Sequence, residues 1–389
     1  MRFSPEDEEF RGRLRAWLAG NLTGRFAGLR GAGGPGREHE AHDERVAWNR
    51  HLAAAGWTCL GWPPEHGGAG ASLARQVIFH EEYARSRAPA RVGYLGEELL
   101  GPTLIALGTP EQQRRFLPPI VAVRELWCQG YSEPGAGSDL AAVATTATLD
   151  GDQWVITGQK VWTSQAHVAD WCFVLARTQP GSRGRDGLSY LLVPMRQPGI
   201  TVRPIRQLTG TSEFNEVFFD GARTEAGLVV GGLGEGWRVA RTTLAIERGA
   251  ATLGQQVGFR RELDALVDEA RRGPAGSDPL IRDGLARAWA GLEALRAHAL
   301  AVLADPSASG TDASVLKLLW SRWHQRLGEL AMQVRGAPSM VARGAPYELD
   351  EWQRLFLFSR ADTIYGGSDE IQRNIIAERA LGLPRQARR

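Results

Sequence analysis

Residues 127–139 read Trp-Cys-Gln-Gly-Tyr-Ser-Glu-Pro-Gly-Ala-Gly-Ser-Asp and separate two parts of the chain with different sequence patterns. Before this stretch apolar residues recur at helical spacing, whereas after it short runs of β-branched and aromatic residues are bounded by Gly, Pro and Asp. Its glycines and proline force an irregular backbone, and Ser132, Ser138 and nearby N–H groups offer donors to a planar or phosphorylated ligand. A plain linker between helices and sheet is the alternative interpretation. A GxGxxG-type dinucleotide site is disfavoured because no βαβ unit surrounds the stretch.

The chain on either side of this stretch predicts a mainly α-helical protein with a central β domain. Phe10, Leu14, Trp17 and Leu18 fall on one helix face behind a cap at Ser4. Further helices are predicted at 43–55, 71–87, 97–107 and 110–121. A hairpin is predicted at 145–157, followed by strands at 171–177, 188–193, 201–206 and 216–219. Helices at 237–270, 279–304, 313–334 and 351–381 suit an antiparallel four-helix bundle.

We therefore expect three domains: a helical one over 1–126, a β-sandwich or barrel over 127–232, and a helical bundle over 233–389. The chain has 389 residues and a formal net charge of +2, which makes a nucleic-acid footprint unexpected. Its 46 basic residues include only two lysines, Lys160 and Lys317. Three cysteines without CxxC spacing predict neither disulfides nor a metal site. With neither an apolar stretch long enough to span a membrane nor a signal peptide, the sequence indicates a cytoplasmic protein.

Two further segments have residue patterns suited to a ligand. Residues 158–164 read Gly-Gln-Lys-Val-Trp-Thr-Ser, where Trp162 could lie against a flat ring while Thr163 reaches its edge. A core tryptophan is the alternative. Residues 364–374 place paired glycines before Ser368, a candidate helix N-cap, so free N–H groups would point at an anion or a carbonyl oxygen. A plain helix-breaking turn is the alternative there.

A carboxylate falls on the apolar face of the helix predicted from residue 237. Ala240, Leu244, Glu247 and Ala251 share one stripe of that helix. Apolar surroundings would raise the pKa of Glu247 toward the range of a general base. Arg248 points about 100° away around the helix, so the two neighbours do not face each other. The alternative is an acid that is ion-paired to another arginine.

Taken in order along the chain, these segments resemble the acyl-CoA dehydrogenase family. Residues 61–68, Gly-Trp-Pro-Pro-Glu-His-Gly-Gly, and 108–112, Gly-Thr-Pro-Glu-Gln, extend the resemblance into the N-terminal part. The resemblance implies a flavoprotein that uses FAD to remove two hydrogens from an acyl-CoA thioester, giving the trans-2-enoyl-CoA. It also implies that electrons pass to an electron-transfer flavoprotein.

The resemblance assigns the cofactor contacts to the quoted segments. It places along FAD the residues Gln129, Tyr131, Ser132, Gly137 and Ser138, with Ser138 also near the thioester. It packs on the flavin ring, or bonds to its edge, the residues Trp162, Thr163 and Ser164. Residues 333–337 resemble a Gln-x-x-Gly-Gly element in which Gln333 and Gly336 would reach FAD of a neighbouring subunit, although the second glycine is Ala337 here. The adenine-diphosphate side would meet Gly367, Ser368 and Glu370.

The resemblance also suggests where the catalytic base lies. Many family members have a glutamate where this chain has Gly366, which cannot take a proton. The isovaleryl and long-chain branches carry the base in a Glu-Arg pair like Glu247-Arg248. Glu247 is therefore expected to take the α-proton, while the Gly366 N–H donates to the thioester carbonyl. Arg248 joins Ser138 and Gly366 as an expected substrate contact.

One departure from the family pattern concerns the cofactor pyrophosphate. The family's Arg-x-x-Phe-Gly element is replaced here by residues 270–274, Ala-Arg-Arg-Gly-Pro, in which Arg271 or Arg272 could substitute but the phenylalanine is missing. Some relatives work as heteromeric pairs in which one kind of subunit completes the flavin site. We therefore expect a homodimer, a homotetramer or a heterotetramer with a related subunit. A flavin oxidase or monooxygenase and an inactive partner subunit are the alternatives.

Overall fold

The computed structural model describes residues 3–246, 251–305, 310–344 and 347–385. The first part is helical, with α1 (Pro5–Asn21), α2 (His42–Ala54), α3 (Leu73–Arg85), α4 (Gly101–Leu107) and α5 (Pro110–Val121). Ser4 caps α1 as expected, because its side chain accepts from the Asp7 N–H while the Asp7 side chain accepts from the Ser4 N–H. The helix predicted at 97–107 instead begins with a π-helical turn, Leu95–Leu100, that leads into α4.

A single mixed sheet forms the middle of the molecule. Its strands are β1 (Trp127–Gly130), β2 (Thr146–Asp150), β3 (Gln153–Ser164), β4 (Trp171–Arg177), β5 (Leu188–Pro194), β6 (Ile200–Ile205), β7 (Phe214–Glu225) and β8 (Val229–Val230). Their order is β6-β7-β3-β2-β4-β5-β8, and β1 pairs in parallel with β4. The expectation of irregular backbone throughout residues 127–139 is wrong for its first four residues. Trp127 and Cys128 are buried, and their backbone joins the sheet.

Helices again make up the last part. They are α6 (Gly236–Ile246), α7 (Ala251–Arg272), α8 (Pro279–Ala304), α9 (Gly310–Arg335), α10 (Glu351–Phe358) and α11 (Asp369–Ile375). Leucines from α7, α8 and α9 form their common core, with Leu263, Leu292 and Leu327 each at most 3% exposed. The single helix predicted over 351–381 is wrong, because α10 ends at Phe358 and a loop precedes α11. Gly366 and Gly367 have φ of +63° and +86° in that loop, a backbone conformation that no α-helix contains.

The three parts confirm the predicted architecture of N-terminal helices, a central β domain and C-terminal helices. Across the portions of the chain that the structure describes, no helix is both long enough and apolar enough to span a membrane.

Candidate functional site

A cavity of about 1390 Å³ lies where the three parts meet. The β region contributes Gln129, Ser132, Gly137, Ser138, Trp162 and Ser164 to its wall. The C-terminal part contributes Gly366, Gly367 and Ser368, and the N-terminal helices contribute a largely apolar wall that includes Leu95 and Leu99. Segments more than 200 residues apart in sequence thus meet at one site.

Several buried polar atoms of the β region lack a hydrogen-bonding partner among the described residues, and two of them belong to predicted site residues. Thr163 is fully buried, and no described group hydrogen-bonds to its Oγ1. The same holds for Nε2 of Gln129, whose side chain lines the cavity. Buried polar groups in proteins are nearly always hydrogen-bonded, so a polar ligand beside β1 and β3 would satisfy these atoms. Tyr131 is only 5% exposed and does not line the cavity.

Trp162 projects from a β-bulge. The pairing of β3 with β7 shifts register between Lys160 and Thr163, and Trp162 has a φ of +60° with 57% of its surface exposed. Such a φ is unusual for a bulky residue, and strain of this kind concentrates at functional sites. The core-tryptophan alternative is therefore wrong. A flat, exposed indole on the cavity wall suits stacking against an aromatic ring.

A buried ion pair holds the backbone beneath this bulge. Lys160 is fully buried, and its Nζ lies 2.7 Å from Oε1 of Glu133. The same ammonium donates to the carbonyl oxygens of Tyr131 at 3.0 Å and Leu175 at 2.7 Å. Glu133 in turn accepts from the N–H groups of Ala144 and Thr145. One lysine therefore ties β3 to the start of the 131–139 loop and to β4.

The loop that carries Gly366 is fixed through Asp362. The Tyr365 hydroxyl donates to Asp362 Oδ1 at 2.6 Å, and Nδ1 of His324 lies 2.5 Å from Oδ2. Burial opposes protonation of His324, but hydrogen bonds to Asp362 and Glu262 outweigh it and raise the pKa of His324 to about 10. Lys317 donates to the Asp362 carbonyl and lies over the Tyr365 ring. These contacts hold the Gly366 backbone at the cavity wall.

Other predicted site residues lie elsewhere. Gln333, Gly336 and Glu370 are exposed and outside the cavity. Glu370 instead lines a separate pocket of about 270 Å³ together with Arg322 and Arg326. Ser368 caps α11 as predicted, its side chain accepting from the Ile371 N–H.

The predicted base and its neighbour, Glu247 and Arg248, lie outside the described residues. The helix α6 leads directly to them. On α6, Ala240 and Thr243 are fully buried, and Leu244 is partly buried against the same core.

Three arginines are candidates to bind an anionic ligand, and the resemblance implies that Arg271 or Arg272 would do so across a subunit interface. Arg271 and Arg272 are more than 70% exposed, pair with Asp268 and Glu269 on their own helix, and do not line the cavity. Arg206, which the sequence did not single out, lies exposed on the cavity wall just after β6. No acidic side chain in the described ranges pairs with it, so its charge is available to an anionic ligand. A lone arginine after a strand gives no signal in the sequence.

Comparison with known proteins defines the class to which this fold and cavity belong. Models of the acyl-CoA dehydrogenase N-terminal, middle and C-terminal domains match residues 4–124, 128–222 and 234–381. The chain therefore belongs to the acyl-CoA dehydrogenase family of oxidoreductases, whose members are FAD-dependent.

Individual relatives cover the whole chain. Acyl-CoA dehydrogenase IpdE1 of Mycobacterium tuberculosis is 67% identical over 98% of this chain and 99% of its own length. IpdE1 of Mycolicibacterium smegmatis is 64% identical with the same coverage. Among solved structures, the Tcur3481-Tcur3483 steroid ACAD is similar with a TM-score of 0.85 and 31% identity, covering 99% of both chains. The ChsE4-ChsE5 complex from Mycobacterium tuberculosis has a TM-score of 0.81 and 31% identity, covering all of both chains.

Proposed function

We propose that this protein catalyses the FAD-dependent α,β-dehydrogenation of an acyl-CoA thioester to the trans-2-enoyl-CoA. The observation that carries the proposal is the cavity shared by the 129–138 segment, the Trp162 bulge and the Gly366 loop. Family membership supports the reaction class, and the orphaned polar atoms of Gln129 and Thr163 support a bound polar ring system.

The proposed FAD contacts fall into two groups. Ser132, Gly137, Ser138 and Ser164 line the cavity and would contact the cofactor together with Gln129, Trp162 and Thr163. Tyr131, only 5% exposed, would support them from behind. Gly367, Ser368 and the exposed Glu370 are proposed to contact the adenine-diphosphate part of FAD. The exposed Gln333 and Gly336 are proposed to contact the FAD of a neighbouring subunit. FAD, when bound, accepts the hydride that leaves the β-carbon of the substrate.

The chain's own residues would activate the thioester. The Gly366 N–H, held at the cavity wall, would donate to the thioester carbonyl and stabilise the negative charge that develops when the α-proton leaves. Glu247, which follows α6 in the sequence, is the proposed base, with Arg248 and Ser138 as further substrate contacts. Arg206 is a suitable partner for a phosphate of CoA or FAD, because it lines the cavity and forms no ion pair with a described acidic side chain.

We further propose a heteromeric assembly in the cytoplasm that passes electrons to an electron-transfer flavoprotein. The structurally similar Tcur3481-Tcur3483 protein and the ChsE4-ChsE5 complex are each named as a pair of components. Large apolar side chains are also exposed beyond the cavity, among them Met340 at 86%, Val341 at 68% and Leu280 at 79%. Met340 and Val341 are adjacent in the chain, so they form an exposed apolar pair that contact with another subunit would bury. Because the Tcur3481-Tcur3483 protein is named a steroid ACAD, similarity to it supports a bulky, steroid-derived acyl group as the substrate.

The test is to purify the chain alone and with a co-expressed related subunit, and to add acyl-CoA thioesters anaerobically. Bleaching of the flavin absorbance is expected, and Glu247→Gln should lower the bleaching rate roughly 10²- to 10⁴-fold while flavin stays bound. Glu235→Gln is the matched control, because Glu235 is a half-exposed acid that pairs only with Arg238 in the described structure.

Three results would count against parts of the proposal. If the flavin of Glu247→Gln bleaches at the native rate, Glu247 is not the base. If the chain purified alone has a full flavin content and turns over substrate, it does not require a second kind of subunit. Rapid reoxidation by air with peroxide release, and no response to any thioester, would indicate the oxidase chemistry instead.

A further inference from the structure

A histidine lies on the N-terminal wall of the cavity. His80 lies on α3 and lines the cavity, and none of the described residues hydrogen-bonds to its ring. Its nearest aromatic contact is the edge of Phe79, with ring centroids 5.5 Å apart. On its other side α3 packs tightly on α7, where a Cβ at Gly254 would lie 3.1 Å from the His80 Cβ. The helix contact therefore fixes the position of this imidazole at the cavity.

The ring of His80 is uncharged at physiological pH. Burial lowers the pKa of His80 to about 3, and the nearby positive charge of Arg91 adds to the effect. A neutral imidazole presents one N–H donor and one nitrogen acceptor. His80 can thus exchange hydrogen bonds with a neutral polar group, but it supplies no positive charge to an anion.

The charges beside His80 do not favour an anionic partner either. Arg91 pairs with Glu97 at 2.7 Å and also with Glu98, so its guanidinium is already occupied by two carboxylates. The rest of this wall is mainly apolar and includes Leu95, Leu99, Pro102 and Ile105. An acyl group with a terminal carboxylate would gain no ion pair from Arg91, while a plain hydrocarbon would leave the imidazole without a partner.

We propose that His80 is a substrate-binding residue that selects acyl groups bearing a neutral oxygen, a hydroxyl or a ketone, at a position remote from the thioester. The assignment rests on the acyl-CoA dehydrogenation proposed above. When an analogue lacks the oxygen, the imidazole still loses its bound water but gains no hydrogen bond in return. Such an analogue therefore binds more weakly than the oxygen-bearing substrate. The expected discrimination is roughly 10- to 100-fold in kcat/KM.

The experiment compares matched thioesters on the flavin-loaded enzyme. Straight-chain and fused-ring acyl-CoAs are used, each plain, with a remote hydroxyl, with a remote ketone, and with a remote carboxylate. Turnover is followed with an artificial electron acceptor. His80→Leu removes the hydrogen bonds and His80→Asn retains them, while His39→Leu is the control because His39 is exposed and does not line the cavity.

We expect the native enzyme to prefer the hydroxyl or ketone member of a pair, His80→Leu to abolish the preference, and His80→Asn to keep part of it. A preference that is absent in the native enzyme, or unchanged in His80→Leu, overturns the assignment of His80. Preference for the carboxylate overturns the inferred chemistry of the wall. If no thioester reduces the flavin, the proposed function itself fails, which is a different result from reduction without a preference.

Discussion

Replacing Lys160 by methionine tests the ion pair beneath the Trp162 bulge. Methionine keeps an unbranched chain of similar length but removes the charge and the three hydrogen bonds to Glu133, Tyr131 and Leu175. The Glu133 carboxylate, only 7% exposed, is then left without its counter-ion. Breaking a buried pair in this way costs about 3–5 kcal/mol. Two backbone N–H donors remain on Glu133, so we expect the lower half of that range.

A second substitution separates charge from geometry. Burial lowers the pKa of Lys160 to about 8 even though Glu133 favours the charged form, so the pair gains little net energy from its charges. Lys160→Met combined with Glu133→Gln removes both charges and should restore most of the lost stability. The hydrogen bonds from Lys160 to Tyr131 and Leu175 remain absent in the double variant, so its 131–139 loop and bulge should bind FAD about tenfold more weakly.

The assays are thermal melting of the flavin-free proteins and titration of FAD by fluorescence. Lys160→Met should melt roughly 4–5 °C lower than the native protein. Arg238→Met, which removes a half-exposed surface pair with Glu235, should melt within about 2 °C of it. A melting temperature of Lys160→Met equal to that of the control would refute the reasoning. Native FAD affinity in the double variant would show that the lysine supports only folding.

Two further predictions follow from His324 and Arg206. The pKa of His324 is raised to about 10, so its contribution to stability should be complete below pH 6.5 and disappear as the pH rises through 10. We expect charged His324 to contribute about 2–3 kcal/mol to the free energy of unfolding, after allowing for the partly exposed Glu262. The melting temperature of His324→Gln should therefore change less between pH 6.5 and 10 than that of the native protein. An identical pH dependence in the two proteins would contradict the assignment. Arg206→Gln should raise KM for the acyl-CoA or Kd for FAD about tenfold with little change in kcat, measured by steady-state kinetics and flavin titration, because a phosphate contact is made equally in the ground and transition states. If neither constant moves, Arg206 binds no phosphate.

Local signals in the sequence predicted many of the elements. Thr109 and the following Pro110 marked the start of α5, and the apolar run at 171–177 gave β4, because both patterns act within a few residues. The prediction of one helix over 351–381 was wrong because the apolar spacing continues across two glycines whose positive φ is incompatible with an α-helix. The cavity segments 129–138, 158–164 and 366–368 were recognisable from their residue types.

The remaining contacts of the site depend on tertiary packing. His80 is one polar residue on a helix face, and only the approach of α7 and the cavity beside it make it a candidate. Arg206 follows an ordinary strand, and its importance arises from the cavity it reaches. Lys160 had a weak signal, since it is one of two lysines among 46 basic residues, but its partner Glu133 is 27 residues away and is brought near by the sheet.

The backbone at Gly366 bears on the glutamate that the resemblance implies for this position in many family members. Its φ of +63° is one that a residue with a side chain adopts only at a cost of about 1–2 kcal/mol. Space is not the obstacle, because the nearest atom to an added Cβ, Cε of Lys317, would be 3.7 Å away. An acid introduced at this position would therefore carry that strain unless the loop changed its path. The main chain of this loop, and not only the side chains around it, thus favours glycine at position 366.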